Sequence, residues 1–203
     1  MSTLFCKNGL SKLTRKTYHH GNLRSSLIAA GLQLIQEKGV DALTLREIGS
    51  RLGVSRSAAY RHFADKAALI EAISEAGFLR FGDALQDAWD RGGDDFWTRM
   101  AAMAEAYVSF ANEHRPYFDV MFSAPPHPGC GSEKAGERAF GILEGAIREG
   151  QRIGEIRAGD TVMLARSVWA MVHGISTLRL DAGEPGFVRQ TAEVLRSGLR
   201  FRG

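Results

Sequence analysis

Almost every stretch of the 203-residue chain repeats its apolar residues at intervals of three and four, and none alternates them at intervals of two. That interval is the period of one helical face, so the sequence points to an all-α fold and away from sheets. Leu23, Leu27, Ala30 and Leu34 mark a first helix, and Gly39 after Lys38 stands where a helix ends. Thr44-Leu-Arg-Glu47 has capping-box form, in which the threonine oxygen accepts the backbone N–H three residues on and the glutamate reaches back. It opens a short second helix with Leu45, Ile48 and Leu52 inward, closed by Gly53. Ser55 caps a third, over residues 56–63, whose inner side is Ala59 and Phe63. Asp65 caps a fourth, over 66–91, carrying Leu69, Ile73, Phe78, Phe81, Leu85 and Trp89, with Gly77 and Gly82 as weak points inside it.

Beyond Gly92-Gly93 the pattern continues. Asp94 or Asp95 starts a helix with Phe96, Met100, Met103, Tyr107 and Phe110 at helical spacing, ending near Arg115-Pro116. A short helix over 117–122 follows, then a loop over 123–132 with three prolines and two glycines. A helix resumes over 133–151, and Asp160 or Thr161 caps a long apolar one reaching about Leu180. Gly183-Glu-Pro-Gly breaks the chain before a last amphipathic helix over 187–200. The expectation is about nine helices in three parts: a basic arm at 1–19, a three-helix unit at 20–66 and a larger helical body at 67–203.

Charge divides the chain in the same place. Residues 1–66 hold 11 lysines and arginines against 4 acids, while residues 67–203 hold 15 against 19. A positive N-terminal third on a mildly negative body fits a polyanion-binding module. The arm, with Lys7, Lys12, Arg15 and Lys16, lacks the apolar core of a secretory signal. The longest apolar-leaning run, 167–178 between Arg166 and Arg179, falls short of the roughly 18–20 residues of a membrane span. A cytoplasmic protein with no membrane partner is therefore expected. Cys6 and Cys130 form no disulfide framework. An enzyme would have to draw on His114, His127, Cys130 and Glu133, but no motif orders them as nucleophile, base and orienter. No metal-ligand spacing appears either, so neither enzyme activity nor cofactor nor metal is expected.

Two short helices about a tight glycine turn are the helix-turn-helix plan, whose second helix enters the major groove. Gly53, Val54, Ala59 and Phe63 supply the turn and inner faces, leaving Arg56, Ser57, Ala58, Tyr60, Arg61 and His62 outward. Thr44-Leu-Arg-Glu-Ile-Gly-Ser-Arg-Leu-Gly-Val-Ser, Tyr60-Arg-His-Phe63, then Asp65-Lys66 and Leu69 resemble the DNA-binding domain of TetR-family regulators over roughly residues 20–70. The resemblance implies that Thr44, Tyr60, His62 and Lys66 hold phosphates, and that Arg56, Ser57, Ala58 and Arg61 lie where base edges are reached. The chemistry agrees, since arginine offers a fork to guanine and an alanine methyl can meet a thymine methyl. The arm either adds minor-groove or phosphate contacts or is a solvated tail.

Farther on, Trp169-Ala-Met-Val-His173-Gly174 resembles the Trp-x-x-x-His-Gly signature of one C-terminal subclass of these regulators. That likeness implies a ligand-binding and dimerisation domain whose last two helices pair with a second copy. Phe81, Trp97, Met100, Met103, Tyr107, Phe118, Met121, Phe122 and Trp169 supply more aromatic and thioether surface than packing requires, with Tyr107 and His173 as polar anchors. By family analogy they line the site of an unidentified small, largely apolar effector. The protein expected is a ligand-responsive dimer on a palindromic operator of double-stranded DNA, most simply a repressor that the effector releases. An activator of the same fold, a nonspecific DNA-coating protein and a small helical enzyme are the rivals.

Overall fold

The computed structural model describes residues 23–123, 128–182, 184 and 186–199. Among them are nine α-helices and a single 3-10 turn, and no strand, as the helical period requires. The basic arm, Cys6, residues 20–22, His127, much of the proline loop and Arg200 lie outside the described residues.

Three helices form the N-terminal unit: α1 (Leu23–Lys38), α2 (Leu45–Arg51) and α3 (Arg56–His62). Three side-chain caps fix their order. The Thr44 oxygen accepts the Glu47 N–H at 3.2 Å, Ser55 accepts that of Ala58 at 3.2 Å, and Asp65 accepts that of Ala68 at 2.8 Å. The capping box at Thr44 is half made, because Glu47 turns outward to Arg51 and Lys38 instead of reaching back. The turn between α2 and α3 needs Gly53, whose φ of +66° strains any residue with a Cβ. Leu27, Leu34, Leu43, Ile48 and Ala59 fill the space between the three helices.

From Asp65 the long α4 (Lys66–Arg91) runs unbroken through Gly77 and Gly82. Neither glycine is a weak point, because each lets a neighbouring helix approach. A Cβ at Gly77 would lie 2.6 Å from the Met121 sulfur, and one at Gly82 would lie 3.6 Å from the Ala139 methyl. Around α4 pack α5 (Phe96–Glu113), α6 (Arg115–Met121) and α7 (Gly131–Arg152); α8 (Thr161–Leu178) and α9 (Phe187–Leu199) close the far side against α5. Of the alternative caps, Asp95 and Asp160 serve, while Thr161 instead donates its hydroxyl to Gln151.

Several helix ends differ from expectation for local reasons. α6 begins at Arg115, two residues early, since Pro116 is tolerated in a first turn whose N–H groups have no partners. α7 begins at Gly131 because the Cys130 sulfur accepts the Glu133 N–H. α8 stops at Leu178, where Arg179 turns left-handed at φ 54°. One continuous apolar core joins all nine helices, and α6 touches α1 as well as α4. No helix is long and apolar enough to cross a membrane.

Candidate nucleic-acid interface and effector cavity

α3 exposes one face. Arg56, Ser57, Tyr60, Arg61 and His62 are all exposed, with Ala59 and Phe63 buried beneath them. Ala58 is half-buried and packs on the core, so it is less open to a base methyl than the outward assignment supposed. The Arg56 guanidinium lies 5.3 Å over the Tyr60 ring, a cation–π pair one helical turn apart that narrows its rotamers while leaving its donors outward. Thr44 is exposed, and because its oxygen is the acceptor in the cap, its hydroxyl proton stays available to donate. Lys66 is half-buried, with its ammonium donating to the Asp41 carbonyl at 3.1 Å. That bond draws the start of α4 onto the turn preceding Thr44 and uses one of three donors. Arg24, the last cation of the positive opening segment, lies 5.4 Å over the Phe63 ring and covers the end of α3 from α1.

In the helical body α4, α5, α6, α7 and α8 line an open-mouthed cavity of about 640 Å3. This falls within the size range of sites for drug-sized ligands. Phe81, Met100, Met103, Tyr107, Met121, Phe122 and Trp169 line it, as the sequence suggested. Three of the expected residues do not. Trp97 faces away into a lesser groove between α5 and α9, its indole N–H donating to Glu155 at 2.8 Å. Phe118 and His173 stand behind the wall, stacked on each other with centroids 5.5 Å apart. What sequence reasoning missed is the contribution of α7, from Ser132, Glu133, Gly136, Glu137, Ala139, Phe140 and Leu143, together with Arg166, Val168 and Val172 of α8. Gly136, Ala139, Phe140 and Leu143 at spacings of three, one and three were the available signal.

Tyr107 organises the wall. Its hydroxyl accepts the Trp169 indole N–H at 3.1 Å and meets His173 Nδ1 at 2.9 Å. Indole nitrogen can only donate, so Trp169 fills one of the two acceptor sites of the Tyr107 oxygen and leaves the phenol proton available to Nδ1. Burial holds the Tyr107 phenol well above its ordinary range and pushes the His173 pKa below its usual value. Between the unfolded and folded values for His173 the unfolded chain binds a proton that the folded one refuses, so stability falls as pH drops below about 6.5. His173→Gln is expected to flatten this loss. Thermal midpoints measured from pH 7.5 to 5 for both proteins would test it, and equal slopes would refute it.

Two of the described residues that a helical enzyme would have drawn on have packing or capping roles. His114 sits 4.9 Å from the Phe110 ring, Cys130 caps α7, and Glu133 lines the cavity. No group of three metal-binding side chains comes together among the described residues.

A recognition-type helix on a helix-turn-helix, ahead of a helical body around a cavity, defines the class of helix-turn-helix transcription regulators. The model of the family described as "Bacterial regulatory proteins, tetR family" matches residues 27–73, and that of the "Tetracyclin repressor-like, C-terminal domain" matches residues 100–201. The chain belongs to the TetR family of DNA-binding transcription regulators. It is 47% identical over 53 residues to the tetracycline repressor protein class G of Vibrio anguillarum, an alignment covering 26% of this chain and 25% of that protein. It is also 30% identical to the nucleoid occlusion factor SlmA of Marinobacter nauticus over 142 residues, 67% of this chain and 70% of that one. The chain thus spans about a quarter to a third of the tetracycline repressors it matches. A Rhodococcus sp. RHA1 protein of unknown function superposes with a TM-score of 0.83 at 35% identity, covering 92% of this chain and all of that one. PfmR of Thermus thermophilus, at a TM-score of 0.71 and 23% identity over 89% of this chain and 98% of its own, shares the fold.

Proposed function

We propose that the protein is a repressor that binds a palindromic operator as a homodimer and is released by a small, largely apolar effector held in the cavity. The observation that carries this reading is the pairing of an exposed, cationic α3, packed on α1 and α2, with an apolar cavity of about 640 Å3 walled in part by α4, the helix that follows α3. In this reading Thr44, Tyr60, His62 and Lys66 hold phosphates, Arg56, Ser57 and Arg61 read base edges, and Ala58 contributes at most its methyl. Residues 20–66 form the DNA-binding unit, residues 67–203 the ligand-binding and dimerisation unit, and the arm at 1–19 precedes both. The body belongs to the Trp-x-x-x-His-Gly subclass; Trp169 lining the cavity and His173 buttressing Tyr107 support it.

Effector and operator favour different settings of α4, so each weakens the other's binding. Selecting bound sequences from random duplex and titrating the best of them with small apolar compounds tests both halves. Failure to enrich any sequence, or an operator affinity that no compound alters, would refute the corresponding half.

Dimerisation through α8 and α9 is supported by what those helices leave uncovered. Met163, Leu178 and Val194 are 61%, 68% and 67% exposed, and a Cβ at Gly174 or Gly198 would meet nothing within 4 Å. Glycine inside a helix costs about 1 kcal/mol relative to alanine and fits a site of close approach from outside. Met163→Glu combined with Val194→Glu is expected to shift the sedimenting species from dimer to monomer. An unchanged sedimentation coefficient would refute the interface.

A further inference from the structure

The contact between α4 and α7 joins the start of the helix-turn-helix support to the rim of the cavity, and it is mostly smooth. Gly136 faces the Phe78 ring and Gly82 faces Ala139, pairings without directional bonds that tolerate sliding. Among the described residues, two polar ties between the helices stand out. One is an exposed ion pair between Arg138 and Asp83 at 2.9 Å, of the kind worth little on a surface. The other is built differently. The Glu71 carboxylate accepts the Ser132 backbone N–H through one oxygen and the Ser132 hydroxyl through the other, both at 2.8 Å.

Ser132 is 1% exposed, so these charge-assisted bonds sit where water competes poorly. Its N–H belongs to the first turn of α7, whose donors have no partner within the helix. The acid therefore completes that turn from outside and meets the positive end of the helix dipole. Glu75, one turn along α4, presses on the same spot: a Cβ at Gly131 would lie 2.6 Å from its carboxylate. Ser132 and Glu133 both line the cavity. Glu71 lies five residues past Lys66, about 7.5 Å along the helix axis.

We propose that the clasp of Glu71 on Ser132 is the joint through which occupation of the cavity is passed to the helix-turn-helix, and operator binding back to the cavity rim. This rests on the reading of α3 as the operator-binding helix and of the cavity as the effector site. An occupant that displaces the first turn of α7 slides freely over the apolar part of the contact but drags α4 at Glu71, and with it Lys66. Glu71 is a positioning residue, remote from DNA, whose loss leaves both sites in place and disconnects them.

Cys130, the cap of that same turn, provides a reporter that needs no identified effector. In a Cys6→Ser parent, the rate of Cys130 alkylation by iodoacetamide is expected to change about fivefold or more when a selected operator duplex saturates the protein. In Glu71→Gln the duplex is expected to bind within about threefold of the parent affinity while altering the alkylation rate less than twofold. Ser132→Ala, which keeps the backbone bond, serves as the second variant should Glu71→Gln fail to fold, and is expected to fall between. Arg138→Ala is expected to behave as the parent. A full operator-dependent change in the folded Glu71 or Ser132 variant, no change in the parent, or an equal loss in Arg138→Ala would each overturn the clasp. If no duplex is bound at all, the reading of α3 fails and takes this inference with it, an outcome distinct from the other three.

Discussion

Arg61→Ala is expected to weaken binding to the selected operator by about 1–3 kcal/mol, roughly 5–150-fold, and to relax the base preference at one position in each half-site. The side chain is exposed on the outer face of α3, and among the described residues no acid holds its guanidinium. Arg56→Ala should act at a second position, with a smaller loss wherever the stack on Tyr60 already restrains the guanidinium. Lys66→Ala provides the contrast. A phosphate contact carries no sequence information, so affinity should drop by a similar factor for all duplexes and the salt slope should fall by about one. Its bond to the Asp41 carbonyl adds a qualification that can be measured: losing it loosens the corner between α4 and Thr44 as well. Anisotropy titrations on selected and scrambled duplexes at two salt concentrations separate the cases. If Arg61→Ala lowered both affinities equally, arginine would be a phosphate holder and the assignment of base readers would fall.

The N-terminal unit was legible because its determinants are local. Thr44, Ser55 and Asp65 each bond an N–H three residues along, a distance the sequence displays directly, and Gly53 stands where a positive φ is needed. Glu47 was misread for the opposite reason. Its competitors, Lys38 and Arg51, reach it across and along helices, and Arg51 itself is held by Glu37 at 2.7 Å. The aromatic surplus pointed to a cavity but not to its walls. Trp97 follows Phe96 directly, so it is rotated by about 100° around α5, and Glu155, 58 residues away, decides where it goes. The role of α7 was hidden in the same way, because its small residues acquire meaning only when Phe78, Gly82 and Glu71 of α4 lie against them. His173 illustrates the intermediate case. Its spacing from Trp169 was visible, yet Tyr107, 66 residues earlier, bonds its Nδ1 and stands between it and the cavity.

Gly150 carries the largest expected effect on stability, although nothing in its sequence context marks it. It is buried near the end of α7, where a Cβ would lie 2.5 Å from Cζ of Phe96 and 2.8 Å from two carbons of Ile156. Phe96 has little room to yield, being edge-on to Trp89 at 5.9 Å and to Trp97 at 5.2 Å. Ile156 is held in place by its own N–H bond to the Gly150 carbonyl at 3.0 Å. Gly150→Val should therefore cost about 3 kcal/mol through overpacking, lowering the thermal midpoint by roughly 6–12 °C. Gly141, nine residues earlier in the same helix, is exposed, with nothing within 4 Å of its would-be Cβ. Gly141→Ala should raise stability by about 1 kcal/mol through helix propensity alone. Calorimetry on the two variants thus has opposite expected signs. A Gly150→Val protein as stable as its parent would mean that the end of α7 stands off Phe96 in solution, and the closure of the body at that end would have to be redrawn.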